Sequence, residues 1–550
     1  MTTVVDLIVD EPGEGSLTVL DASGQVDDVT WAGVHLRARQ IAAALGADGL
    51  GRGCRVGLLA DTSVDLVAAL QAVWLTGGAI TVLPLPARQS QRGYVEQIRA
   101  VLEDAGLDLV VVGEPCSAAA MPATGTRVVS LAELVRRAAA TVPADVIRPE
   151  PGDLAILQYT SGSTRAPRGV PVSHAHLAAN LAGIRHATGH ELDHPGPLLS
   201  WLPLYHDLGL VGALTLPMSC GCAAVLVSPI AFVRRPAVWL EAITRFRPTW
   251  SGGPNFAYGL LTRILRGSPD ADLSSLRHLV CGGEPVDPAT MAAFLAAARP
   301  RGLDPLVITA GYGLAESTLA VTYPPRGRGL QLDEVDPAAL ETQGRATAAD
   351  GNGRKRALVR LGRPVPGTSL RIVDRLTGAE VDERRVGHIE VRGASVVGHY
   401  WGDPPAPPGT WLRTGDLGYL ADGDLVVCGR EKDVLFVAGR NIYPTDVEAA
   451  VAEVPEVRPG GVAAFGIPTP AGDRLVVAVE SRSARPEAVR RAVVAAVLDE
   501  VGATPAAVPV LPPQRLPRTS SGKLRRAEAR RQYLCGELER PVPTGERQPT

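Results

Sequence analysis

The feature that most restricts this chain is an alternation, over residues 34–113, of helical periodicity with short unbroken apolar runs. VHLRARQIAAALGA (34–47) reads as an amphipathic helix and RVGLLAD (55–61) as a strand. DLVAALQAVWLTGG (65–78) reads as a helix, AITVLPL (79–85) as a strand, YVEQIRAVLEDAG (94–106) as a helix and LDLVVVG (107–113) as a strand. Strands built of consecutive Val, Leu and Ile have no polar face to turn to water. They fit a parallel sheet covered by helices on both sides. The same pattern returns at 176–187 and from Trp239 to Val280. The expected class is therefore α/β, with a large N-terminal domain of several subdomains.

The texture changes after about residue 355. SLRIVD (369–374) and VGHIEVRG (386–393) are short and bounded by turn signals, which predicts a small β-rich unit. The DGD at 422–424 separates GYL from LVVCG as a hairpin turn would. A second unit of α+β character begins near Asp433. Thr445 and Glu448 have the spacing of a capping box for the helix starting TDVEAAVAEV; a strand, LVVAVES (475–481), and a helix, PEAVRRAVVAAVLDE (486–500), follow. The expected division is 1–431 for the large domain, 432–536 for a small one and 537–550 for a loose tail.

Composition removes several classes of function. With 550 residues and a formal net charge of −3, the chain has room for several domains and no electrostatic case for nucleic acid or a membrane surface. The N-terminus lacks a basic segment followed by an apolar one, which argues against a signal peptide. The richest apolar stretch, Val211 to Leu226, is interrupted by Thr, Pro, Ser and Gly and reads as buried core rather than a membrane span. The seven cysteines form no CxxC pair and no His/Cys cluster, so buried reduced thiols in a cytoplasmic protein are expected.

Five segments carry chemistry. YTSGSTRAPRG (159–169) gathers Thr160, Ser161, Ser163 and Thr164 about Gly162, with Arg165 and Arg168 beside them. Hydroxyls, backbone N–H groups and guanidinium charge can wrap a phosphate chain, although the spacing is not that of the GxxxxGK[ST] loop. WLPLYHDLGL (201–210) sets His206 and an aspartate between apolar runs, as a core histidine or as a polar handle at a pocket edge. A hydrolase reading of that pair lacks a GxSxG serine. GYGLAEST (311–318) offers the Tyr312 ring to a flat ligand and a carboxylate, Glu316, suited to magnesium beside a triphosphate. RTGDLGYLADGDLVVCGREKD (413–433) holds Asp416, able to accept from a ribose diol, and Arg430, able to donate to sugar or phosphate. LPRTSSGKLRR (516–526) places Lys523 after a flexible stretch, where it can bridge a carboxylate and a phosphate. Taken singly, each segment also has an ordinary structural reading; their order along one chain is what counts against it.

Together the five segments resemble the adenylate-forming superfamily of acyl-CoA synthetases, peptide-synthetase adenylation domains and luciferases, over roughly residues 30–530. Within it the chain resembles the fatty acyl-AMP ligases in LQYTSGST (157–164), WLPLYHDLGLVG (201–212), GGPNFAYGLL (252–261), GYGLAESTLAVT (311–322) and GRNIYPTDVE (439–448). A long stretch from Tyr323 to Leu361, containing LDEVDPAAL (332–340), is similar to material those ligases carry at the same place. The resemblance implies activation of a carboxylic acid, a fatty acid first among candidates, by ATP with Mg2+. Transfer of the acyl group to the phosphopantetheine thiol of an acyl carrier protein would follow. An acyl-CoA ligase using free CoA is the alternative, and a non-catalytic nucleotide-binding scaffold a more distant one.

Carried onto this chain, the resemblance makes 160–169 the phosphate loop, with Thr160 and Glu316 at the metal. Tyr312 and Gly313, with Gly282, Gly283 and Glu284 of CGGEP, border adenine. Asp416 and Arg430 hold ribose. Lys432 is the hinge on which a small mobile C-terminal domain turns, and Lys523 is the catalytic lysine of adenylation. His206, counted with Lys523 and Glu316 among the catalytic residues, lies with Trp250, Gly252 and Pro254 near the acyl pocket. The chain departs from the pattern where STGxPKG reads STRAPRG: Arg165 stands for a glycine and Arg168 for a lysine, keeping charge but changing geometry.

Overall fold

The structure, a computed structural model, describes residues 2–10, 13–86, 91–160, 167–189, 196–268, 270–350, 354–407, 409–437, 440–469, 472–519 and 523–540. Its N-terminal part is built on two sheets. In the first, Arg127–Ser130, Leu109–Val112, Arg55–Leu59, Ala79–Val82 and Leu154–Thr160 run parallel in that order, and Arg168–Ser173 closes the edge antiparallel. In the second, Ile308–Ala310, His278–Cys281, Trp250–Gly253, Leu198–Ser200, Ala224–Val227 and Ser16–Leu20 run parallel, with Val26–Thr30 turned back as a hairpin.

The helix Val64–Leu75 shows why the sequence demands this arrangement. Every residue of it except Asp65 is buried, and a helix apolar all round must be covered all round. It lies in the largest apolar cluster, which also takes Val56, Leu58 and Ile80 from the first sheet and Leu17, Val19 and Leu226 from the second. The two sheets thus share a helical filling. Ser63 caps this helix by accepting from Leu66 N at 3.1 Å, and Asp65 pairs with Arg37 at 2.6 Å. Val211 to Leu226 is core, as expected: a wide helical turn over Leu208–Thr215, a short helix Leu216–Cys220 and the strand Ala224–Val227.

A four-stranded antiparallel sheet follows, in the order Thr368–Val373, Gly387–Gly393, Leu412–Ala421 and Asp424–Arg430. Asp422 and Gly423 turn its last hairpin with φ of 54° and 80°, the left-handed pair that the right-handed twist of two strands requires. The C-terminal unit pairs Val457–Thr469 with Gly472–Ser481, and Val510–Leu511 lies parallel to the latter. Val489, Val493, Val497 and Val501 form one stripe of the helix Pro486–Val501, and they pack with Val447 and Val451 of the helix Pro444–Ala452 against one face of this sheet. The helix Arg526–Leu534 covers the other face through Ala529.

Two expectations change. Thr445 and Glu448 do not form a capping box. The helix starts at Pro444, its N-cap Tyr443 makes no side-chain cap bond, and Glu448 turns away to Arg526 (2.6 Å) and to Ala464 N (3.0 Å). A half-buried guanidinium offers the carboxylate more than one backbone amide does. Packing also continues past Glu537: Leu538 is buried, and its carbonyl accepts from Arg515 Nε at 3.0 Å. Among the described residues no helix is long and apolar enough to cross a membrane, and all seven cysteines are free thiols.

Candidate active site

Three of the five chemistry-bearing segments, and CGGEP with them, follow the carboxyl ends of parallel strands, where an open α/β sheet places its loops over a crevice; Asp416 and Arg430 lie on the antiparallel sheet and Lys523 in the C-terminal unit. The strand His278–Cys281 runs into Gly282, Gly283 and Glu284. Ile308–Ala310 runs into Tyr312, Leu198–Ser200 leads toward His206, and Leu154–Thr160 leads into the segment 160–169. Ser161, Gly162, Ser163, Thr164 and Arg165 lie outside the described residues, and Thr160 is described only as the end of its strand.

Three groups of side chains form around this crevice. In the first, Lys523 Nζ lies 2.8 Å from His206 Nε2, and His206 Nδ1 lies 2.6 Å from Asp207 Oδ1. Gly283 has a φ of 80°, and a methyl group added there would come within 3.7 Å of His206 Cε1 and 3.9 Å of Lys523 Nζ, so the bare backbone borders both. Burial pushes the Lys523 ammonium below the ordinary lysine range, against the opposing pull of Asp207 and Glu284. Burial likewise raises Glu284, whose Oε1 accepts from Phe256 N at 2.7 Å.

In the second group, Asp416 and Arg430 face each other across two adjacent strands, with Arg430 Nε 3.3 Å from Asp416 Oδ1. Tyr312 donates its hydroxyl to Asp416 Oδ2 at 2.6 Å, and Thr414 Oγ1 accepts from Asp416 N at 3.1 Å. Burial raises the Asp416 carboxyl and outweighs the opposing charge of Arg430. The Tyr312 phenol also rises, through burial and then through Asp416. Gly313 has a local duty: a methyl group there would sit 2.0 Å from Leu319 O, at the bulge that turns the chain toward Glu316.

In the third group, Glu316 Oε1 accepts from the Tyr400 hydroxyl at 2.7 Å. The Arg168 guanidinium stands 3.5 Å over the Tyr400 ring and 2.9 Å from Asp403. One carboxylate is a modest donor set, yet it is what a hard cation sharing its shell with phosphates and water takes from a protein. Among the described residues no cluster of three or more His, Cys, Asp or Glu could hold a metal unaided.

Beyond His206, Trp250 and Gly252 line a narrow apolar cleft with Leu202, Leu208, Ala213 and Val280. Trp250 stacks on His278 with ring centroids 5.8 Å apart, and His278 stacks on Tyr323. Gly252 lets its strand lie against Val280, whose carbonyl would be 2.8 Å from an added methyl group. Pro254 precedes the helix Asn255–Arg266 and is buried, but does not line that cleft. Lys432 sits in the single turn Glu431–Asp433 between the last strand of the antiparallel sheet and the C-terminal unit. Burial and the neighbouring Arg430 lower its ammonium.

The segment 323–361 reaches the C-terminal unit. Its helix Pro337–Gln343 presents Glu341 to Arg440, whose Nε lies 2.9 Å away, and the Glu341 carbonyl accepts from Asn441 Nδ2 at 3.2 Å. Arg356 pairs with Asp446 at 2.8 Å and lies 4.3 Å over the Tyr443 ring.

Residues 13–401 match the family described as AMP-binding enzyme. The chain belongs to the AMP-binding enzyme family. A putative ligase of Mycobacterium tuberculosis is 40% identical over 518 residues, covering 91% of this chain and 94% of its own. The long-chain-fatty-acid–AMP ligase FadD26 of Mycobacterium marinum is 34% identical over 575 residues, covering 96% of each. A solved structure from work on the fatty acyl-adenylate ligases of E. coli and L. pneumophila superposes with a TM-score of 0.90 at 34% identity, over 98% of both chains. The resemblance to adenylate-forming enzymes, and among them to fatty acyl-AMP ligases, holds, as does the α/β class with a large N-terminal and a small C-terminal domain.

Two side chains of this AMP-binding enzyme's crevice carry no assignment from sequence reasoning. Asp207 stands in plain view after His206, but nothing in a linear chain says that its carboxylate turns back to the imidazole. Tyr400 lies 84 residues beyond Glu316, in HYWGD, where two aromatic residues ahead of an aspartate were the available signal.

Proposed function

We propose that this enzyme activates a fatty acid with ATP to an acyl-adenylate, releasing pyrophosphate, and passes the acyl group to the phosphopantetheine thiol of an acyl carrier protein. The observation that carries the reading is the meeting of Lys523 and His206 within 2.8 Å: a lysine of the C-terminal unit is delivered into a crevice of the N-terminal one. The names borne by FadD26 and by the fatty acyl-adenylate ligases support the acid and the adenylate.

The substrate carboxylate is already a nucleophile, so attack on the α-phosphorus needs positioning and charge rather than a base. Asp416 would accept from the ribose hydroxyls, with Arg430 directed to sugar or phosphate and Tyr312 at the base with Gly282 and Gly283. Arg168 and the segment 160–166 would hold the phosphates. Glu316, with Thr160, would hold Mg2+, which when bound neutralises charge on the departing pyrophosphate. Lys523 would draw the carboxylate and the α-phosphate together and offset the charge that builds between them. Trp250 and Gly252 would receive the acyl chain, with Pro254 behind them.

We take residues 1–431 as the large domain, the chain from 432 through the buried Leu538 as the small one, and Lys432 as the hinge on which the smaller turns, withdrawing Lys523 and admitting the thiol. The contacts of Glu341 and Arg356 with Arg440 and Asp446 tie the segment 323–361 to the C-terminal unit while Lys523 lies beside His206. Such ties favour an enzyme that holds its adenylate until a carrier protein engages it. Seven free thiols fit a cytoplasmic setting. The test is a thioester assay in which fatty acid, ATP and Mg2+ are incubated with either a phosphopantetheinylated carrier protein or free CoA. Acylated carrier with little acyl-CoA is expected, and efficient acyl-CoA formation would overturn the choice of acceptor.

A further inference from the structure

The partner that meets Lys523 is not left free to turn. His206 Nδ1 lies 2.6 Å from Asp207 Oδ1, the Asp207 side chain is 14% exposed, and Leu208 N donates to the same oxygen at 2.7 Å. The Leu208 amide also lies 3.3 Å from Nδ1, but its hydrogen is committed to the nearer carboxylate. An ionised carboxylate only accepts, so Nδ1 carries a hydrogen, and in the neutral ring Nε2 presents its lone pair. Nε2 then accepts from the Lys523 ammonium at 2.8 Å. With the ring turned to the other tautomer, two donors would face each other there.

We propose that Asp207 is a positioning residue of the adenylation step: it fixes the His206 tautomer whose Nε2 holds the Lys523 ammonium in the crevice. The proposal rests on the reading of Lys523 as the adenylation lysine. Asp207 leads directly into the wide helical turn Leu208–Thr215, which is buried almost throughout, so the carboxylate is mounted on rigid chain. Burial pushes the Asp207 carboxyl up, but His206, Lys523 and the Leu208 amide together hold it below the ordinary range. The other charges facing this group are Glu284 and Arg430 at Lys523, with Arg518 and Arg526 approaching Glu284 from the C-terminal unit.

Two measurements test it. In acid-dependent ATP–pyrophosphate exchange, Asp207→Asn should lower kcat about 10- to 100-fold, the worth of one charged hydrogen bond, with KM for ATP changed less than about 2-fold. Asp207→Glu should recover part of the loss, and adding Asp207→Asn to His206→Gln should cost nothing further, since the carboxylate acts through the imidazole. Multiplying losses in the double variant, or an unchanged kcat in Asp207→Asn, would overturn the proposal. The second measurement needs no substrate: pH-dependent acetylation of Lys523, read by peptide mass. Removing the negative charge at 207 should move the Lys523 labelling curve to lower pH, and an unmoved curve overturns the proposal. If wild type fails to exchange pyrophosphate while the labelling curve moves as expected, the functional reading fails and the proton arrangement stands.

Discussion

The two halves of the crevice are built differently. Asp416 and Arg430 are register partners on neighbouring strands, and Tyr312 and Thr414 brace the carboxylate from either side. Lys523 arrives from a separate unit with its own apolar cores, and its described contact with the large domain is the imidazole of His206. A pocket made of paired strands is preorganised for binding. In the proposed reaction, a lysine brought by another unit serves one step and is withdrawn for the next. The contrast predicts that damage to the first half appears in substrate affinity, and damage to the second in turnover.

The sharpest break of that contrast is Lys523→Ala. Adenylation kcat should fall about 10²- to 10³-fold, as for loss of one preorganised donor to developing charge, while ATP affinity by calorimetry changes little. The converse is Asp416→Ala, which should raise KM for ATP about 10- to 100-fold through loss of charge-assisted hydrogen bonds and leave kcat at saturation much nearer wild type. If both variants alter the same parameter, the division fails.

A smaller effect separates charge from position. In the proposed step Lys523 acts as the ammonium, and burial lowers its pKa. Adenylation should therefore decline as pH rises through a value below the ordinary lysine range. Lys523→Arg, which stays charged throughout, should show lower activity but lose that basic decline. A wild-type profile flat to high pH would contradict the assignment. Smallest of all, Tyr400→Phe removes one neutral donor from Glu316. It should cost about 5-fold in kcat and raise the magnesium concentration needed for half-activity, measured by titration of the metal.

Much of the large domain was legible because its period is local. The buried helix Val64–Leu75 and the strands beside it announce themselves by unbroken apolar runs, and Asp422–Gly423 by one of the few residue pairs that turn a two-residue hairpin. Lys523, Asp416 and Glu316 were legible as residue types in sequence order. What was not legible depends on distance through space. Glu448 has the spacing of a cap, yet Arg526, 78 residues on, claims it. Tyr400 meets Glu316 only after the chain has passed through the first two strands of the antiparallel sheet, and the direction in which the Asp207 carboxylate points is a matter of folded geometry. Local periodicity fixes elements, while side-chain partners across domains are set by packing.

The most direct test of the central claim is ATP–pyrophosphate exchange by the full chain across a panel of carboxylic acids, with the adenylate identified by mass. The account predicts exchange that requires an acid, is strongest with a fatty acid, yields acyl-AMP and is lost in Lys523→Ala. Exchange that proceeds without any acid, or acyl-AMP formed at the wild-type rate by Lys523→Ala, would contradict it.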